Sequence, residues 1–160
     1  GVTQMLPTED RFGLTLSQIK VQITILMGGR VAEHIVFDEY STGAQNDLER
    51  ATMLATSAVT QYGMSSKLGP RVLTEGGEVF LGRDFGRVRN YSEHTAQTAD
   101  EEIASLACEA EKLADKILRQ NREYLDKLAE VLLEQETIDN LQFVKIMEGF
   151  VPIYLVPATA

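Results

Sequence analysis

The sequence predicts a mostly α-helical, bundle-like domain. Three observations carry that expectation. Apolar residues recur at three- and four-residue spacing over long stretches, the period of one helix face. Short polar side chains stand where those stretches begin, as helix caps do. Glycines crowd into the segment between residues 64 and 91, which reads as a long glycine-rich loop or a short hairpin between helices.

Taken in order, residues 1–14 look irregular or strand-like, with a polar turn at Pro7-Thr8-Glu9-Asp10. The next stretch is ambiguous. Ile19, Val21, Ile23 and Ile25 alternate with polar residues, as a strand would. Thr15 and Gln18 instead have capping-box spacing, and Ile19, Ile23, Leu26, Met27, Val31 and Ile35 share one helical face. A helix from about 16 to 36 is expected, with Gly28-Gly29 inside it. A helical glycine costs roughly 1 kcal/mol relative to alanine, so the pair implies close packing of another backbone.

Thr42 and Gln45 repeat the capping-box spacing. Leu48, Ala51, Ala55, Ala58, Val59 and Tyr62 then mark a second helix, which Gly63 terminates. Within the glycine-rich segment, Val72-Leu73 and Val79-Phe80-Leu81 are the candidate hairpin strands. Ser92 caps a third helix whose stripe runs Ile103, Leu106, Ala107, Ala110, Leu113, Ala114 and Ile117. Asn121 breaks it, and Tyr124, Leu125, Leu128 and Leu132 begin another. Thr137, Asp139 and Asn140 start a short last helix carrying Leu141, Val144 and Ile146 and stopping at Gly149. Met27, Met53 and Met64 are expected to fill the core, and Cys108 to be a buried or half-buried inert thiol. Glu123 and Lys127 have the spacing of a solvent-facing ion pair.

The 160 residues suit one domain or a large piece of one, and the net charge of −9 argues against nucleic acid as a partner. The single cysteine rules out an internal disulfide and fits a reducing compartment. No apolar run approaches the ~20 residues of a membrane span. Gly1 to Met5 form neither a basic nor an apolar leader, and no initiator methionine precedes them. The chain is therefore expected to begin within a longer protein.

For chemistry, two carboxylates and two histidines matter. Asp47 falls in the first turn of the second helix, where a negative charge is favoured by the helix dipole. Its position also suits a metal ligand, because the backbone is held and the carboxylate can reach a cleft. Glu33 could pair with Arg30, or act as a ligand from a second helix, as in thermolysin-type sites. His34 and His94 are the only histidines, lack His-Glu-x-x-His spacing, and read as surface or half-buried side chains. The residues by themselves leave both carboxylates open to a bland and a metal-binding role.

A set of segments narrows this. Gly28-Gly29-Arg30-Val31-Ala32-Glu33, Ser41-Thr42-Gly43-Ala44-Gln45-Asn46-Asp47-Leu48, and Val59-Thr60-Gln61-Tyr62-Gly63-Met64-Ser65 occur in order. Lys67-Leu68-Gly69-Pro70, Val79-Phe80-Leu81-Gly82-Arg83-Asp84, Tyr91-Ser92-Glu93-His94-Thr95-Ala96 and Glu136-Thr137-Ile138 follow. Together they resemble the peptidase domain of the FtsH family of ATP-dependent zinc metalloproteases, up to about residue 148. The resemblance implies that residues 1–150 are part of a zinc-metalloprotease domain. Residues 151–160, with no charged side chain and two prolines, are expected to be an irregular tail, and they depart from the usual, more polar family ending. It implies zinc as cofactor, with Asp47 as the third ligand. Glu33 then orients neighbouring groups or stands as the rival ligand. The two histidine ligands and the general-base glutamate of His-Glu-x-x-His would lie before Gly1, so no catalytic residue is assigned within this chain. The nucleotide-binding motif is likewise missing, so ATP and magnesium would bind an ATPase module outside it.

The family further implies a ring of six chains and polypeptide substrates drawn from membrane and soluble proteins. An N-terminal anchor would place the protease on the cytoplasmic side of a membrane. The bacterial inner membrane is favoured, and mitochondrial and plastid membranes also fit. The chain alone is expected to be inactive. The alternative is a non-catalytic helical assembly module of such a ring.

Overall fold

The computed structural model describes residues 13–73 and 90–150. The expected strand at Val79–Leu81, most of the glycine-rich segment, and the tail 151–160 lie outside the described residues. Among those described there are five α-helices and no strand: α1 (Leu16–Phe37), α2 (Gln45–Thr56), α3 (Glu93–Gln120), α4 (Arg122–Gln135) and α5 (Asn140–Ile146). None of these helices is long and apolar enough to cross a membrane.

α1 resolves the ambiguity in favour of a helix. Gln18 N–H donates to Thr15 Oγ1 (3.2 Å), and Thr15 N–H donates back to Gln18 Oε1 (2.9 Å), completing the capping box. Asp38 ends the helix in the left-handed conformation, its N–H donating to the His34 carbonyl. Ile19, Ile23, Met27 and Val31 are buried, and Leu26 and Ile35 pack beside them. This stripe faces Ala51, Ala55 and Ala58 from one side and Ala110 and Ala114 of α3 from the other. Large residues come from α1 and alanines from its neighbours, so the helices can approach closely.

Gly28 and Gly29 depart from expectation. A Cβ added at either meets nothing within 4 Å. Gly28 lies at the edge of the buried stripe and Gly29 on the outer side of α1, and no described backbone packs on either. Without a packing role the helix bears only their conformational cost. Gly29→Ala is therefore expected to stabilise this chain by about 0.5–1 kcal/mol, read as a higher urea midpoint.

The start of α2 also differs from expectation. Ser41, not Thr42, supplies the cap: it is extended, and its Oγ accepts from Gly43 N–H, while Thr42–Ala44 form a 3-10 turn. Thr42 is already inside that turn, so it cannot take the extended cap geometry. Ala44 precedes α2 with no side-chain cap. At the other end Ser57–Gln61 form a π turn, closed by Tyr62 N–H to the Ser57 carbonyl. The wider turn carries Tyr62 off the 3.6-residue stripe, leaving it exposed rather than buried. It also frees the Thr60 carbonyl to accept Leu73 N–H at 2.8 Å. Gly63, at φ +60, lies against the Arg71 backbone, where a Cβ would sit 3.1 Å from Arg71 N.

Ser92 caps α3, accepting from Thr95 N–H, and the α3 stripe is buried or half-buried as expected. Cys108 is exposed, a correction that follows from its place about 100° off that stripe. Met53 is also exposed, on the outer side of α2 where Ser41, Thr42, Gln45, Leu48 and Thr52 line a groove of about 610 Å³. Arg122–Asp126 forms at 2.7 Å, whereas Glu123 and Lys127 do not pair. The cap of α5 is Asp139 in a capping box with Gln142. Of the three apolar residues it carries, Ile146 is buried and Leu141 and Val144 are exposed.

The segment after α2 is tied to α3 by charge. Buried Ser65 donates to Glu102 (2.8 Å) and accepts from Leu68 N–H, and Lys67 meets the other Glu102 oxygen at 2.7 Å. The Lys67 and Ser65 hydrogen bonds hold the Glu102 carboxyl below its ordinary 4.5, and the same contact raises Lys67 above 10.5. A lowered carboxyl stabilises the fold above its unfolded value and loses that contribution as pH falls through the folded value. A raised amine contributes below its unfolded value and loses it as pH rises through the folded one. The link is therefore fully present between those limits. Glu102→Gln keeps a neutral acceptor for Ser65 and removes the charge that meets Lys67; it is expected to cost about 1 kcal/mol near neutral pH, read as a lower urea midpoint, and to flatten the decline in stability below pH ~4.5.

Candidate metal centre

The described site is built where α1 hands the chain to α2. Asp38 turns the backbone, Ser41 is extended, and the 3-10 turn that follows aims the chain into α2. Asp47 follows in the first turn. Asp47, Ala51 and Ala55 are spaced four apart, so the carboxylate leaves α2 from its core-facing side. Helical side chains lean toward the N-terminus, which carries this one beyond the end of the buried stripe. Asp47 is half-buried and makes no hydrogen bond or ion pair with any described residue. A carboxylate in that position, without a partner among the described residues, suits an oxygen donor to zinc.

Glu33 is engaged. It accepts from the Ser41 backbone N–H (3.2 Å) and from Ser41 Oγ (2.8 Å). It does not pair with Arg30, which reaches Glu111 at 3.2 Å and lies 3.7 Å above the Tyr40 ring. His34 stacks on the same ring, with centroids 4.6 Å apart; its Nδ1 has no hydrogen-bond partner and lies 3.8 Å from Asp38. His94 is exposed in the first turn of α3. Among the described residues no three His, Cys, Asp or Glu side chains converge to hold a metal. The structure thus brings Glu33 to the approach of α2, leaves Asp47 unpaired among the described residues at its start, holds His34 against Tyr40 in the turn between the two helices, and places His94 on α3.

A model of peptidase family M41 matches residues 1–146, which include Glu33, Asp47 and all five helices. The chain belongs to peptidase family M41. Similar proteins include "ATP-dependent zinc metalloprotease FtsH 1" of Thermoanaerobacter sp. (strain X514), 47% identical over 150 residues. The alignment covers 93% of this chain and 24% of that protein. The proteins named "ATP-dependent zinc metalloprotease FtsH" from Caldicellulosiruptor bescii and Bacillus subtilis are 49% and 45% identical, each covering 92% of this chain and 24% of theirs. The chain spans about a quarter of the length of these curated relatives.

Two features of this M41 chain escaped the sequence reading. The capping role of Ser41 is masked in the sequence by Thr42 beside it, which has the capping-box spacing to Gln45. The Arg30–Tyr40–His34 stack has no sequence signal, since it needs the left-handed turn at Asp38 to fold Tyr40 back along α1.

Proposed function

We propose that this M41 segment completes the zinc site of an ATP-dependent metalloendopeptidase, with Asp47 as the third protein ligand. The observation that carries it is the half-buried, partnerless Asp47 carboxylate on a fixed helix start, in a chain whose relatives are named zinc metalloproteases. Zinc, when bound, supplies Lewis-acid activation of water and of the scissile carbonyl. Asp47 holds one coordination position from a rigid backbone, and α1 and α3 fix α2 beneath it. Glu33 is the lesser candidate because both its hydrogen bonds go to Ser41. The two histidine ligands belong to chain preceding Gly1, as does the ATPase module that binds ATP and magnesium. The parent assembles as a six-membered ring, anchored at a membrane, favoured to be the bacterial inner membrane. Its protease part is on the cytoplasmic side and acts on polypeptides.

The test is zinc content and casein cleavage of the parent protein with Asp47→Ala and Glu33→Ala side by side. Loss of zinc in the Asp47 variant supports the assignment; loss in the Glu33 variant with retention in the other transfers the role to Glu33. The present chain alone is expected to hold no stoichiometric zinc and cleave no casein. A second reading, a non-catalytic assembly module, draws on the absence of a converging ligand set among the described residues. A His-Glu-x-x-His helix in the sequence before Gly1 excludes it.

A further inference from the structure

We infer that Ser41 is a positioning residue that sets the start of α2, and thereby the Asp47 carboxylate, by clamping the 3-10 turn to Glu33. This rests on the proposed ligand role of Asp47 and names the device that would aim it.

The geometry is a chain of three groups. Ser41 Oγ donates to Glu33 Oε2 at 2.8 Å and accepts from Gly43 N–H at 3.1 Å. Its own N–H donates to the same Glu33 oxygen at 3.2 Å. One hydroxyl thus joins a carboxylate anchored on α1 to the backbone of the turn leading into α2. The turn needs such a fastening, because Ala44, at the cap position of α2, offers no side-chain hydrogen bond. Orphan amides at a helix start are ordinarily met by a capping oxygen; here that oxygen sits upstream and is itself held by a charge. The clamp leaves little room: a Cβ at Gly43 would lie 3.2 Å from Ser41 Oγ and 3.6 Å from Glu33 Oε1. Asp47 follows four residues after Gly43, so a shift of the turn carries directly into its position. Groups that orient metal ligands typically contribute 10–100-fold in metal affinity.

The experiment compares Ser41→Ala, Ser41→Thr, Gly43→Ala and Asp47→Ala in the intact parent protein. Zinc dissociation constants are measured against a competing chelator, and amide hydrogen exchange is followed across α1 to α3. Ser41→Ala is expected to weaken zinc about 10–100-fold and to speed exchange at Gly43 to Asp47, leaving the α3 amides unchanged. Ser41→Thr keeps the hydroxyl and is expected to restore both; Gly43→Ala crowds the clamp and is expected to act in the direction of Ser41→Ala. Unchanged zinc affinity in Ser41→Ala, when Asp47→Ala has lost it, overturns the inference and leaves the ligand assignment standing. Faster exchange throughout α3 also overturns it, since the effect is then a general loss of stability. Retention of zinc by Asp47→Ala overturns the ligand assignment, and the positioning role with it.

Discussion

Replacing Asp47 with alanine in the parent protein is expected to remove zinc and casein cleavage together, with metal affinity falling by at least about 100-fold. The same change is expected to leave the fold almost untouched, and this contrast separates the two readings of the residue. As a plain helix-start charge, Asp47 contributes through the α2 dipole, about 0.3–1 kcal/mol at an exposed or half-exposed terminus. It has no hydrogen bond or ion pair among the described residues to lose. A small drop in the urea midpoint with zinc intact identifies a helix-start charge and ends the metalloprotease assignment of this residue. A small drop with zinc gone identifies a ligand. Asp47→Asn sharpens the test: it keeps the shape and the polar atoms but removes the anionic donor, so it is expected to resemble alanine in metal affinity.

The helices were legible because each carries its period in the local sequence, and α1, α3 and α5 carry their caps there too. Thr15 with Gln18, Ser92, and Asp139 with Gln142 act through hydrogen bonds spanning three residues. What was not legible depends on groups far apart in sequence, or on small changes in helical pitch. The π turn at Ser57–Gln61 adds a residue to one turn and moves Tyr62 out of its stripe; nothing in Ser57-Ala58-Val59-Thr60-Gln61 announces it. Met53 and Cys108 stand beside an apolar stripe, and the rotation of about 100° between neighbours carries them out of it. At the candidate site, Asp47 was found through its segment and its helix position. The partner of Glu33 was not, since Ser41 meets it only after the chain reverses at Asp38. Gly28-Gly29 read as a packing signal, yet no described atom occupies the space beside them.

The helical reading of residues 16–37 makes the largest stability prediction. Ile23 and Ile25 are the same residue type two positions apart. In a strand, residues two apart face one side, so Ile19, Val21, Ile23 and Ile25 would share a buried surface and cost alike on truncation. In α1 they part: Ile23 is 0% exposed and Ile25 is 52% exposed. Ile23 sits among Ala51, Ala55 and the α3 alanines, small residues that cannot swing in to fill a space. Ile23→Ala therefore leaves both a lost transfer term and a residual cavity, together about 2–5 kcal/mol. Against a total of about 5–15 kcal/mol for a domain, that is a large share, and the urea midpoint should fall accordingly. Ile25→Ala removes a half-solvated side chain and gains a little helix propensity, so it is expected to stay within about 1 kcal/mol of the unaltered chain. Equal losses at the two positions would mean that this segment does not bury one helical face. The platform holding α2 beneath Asp47 would then need to be built from something other than the packing of α1 against α3.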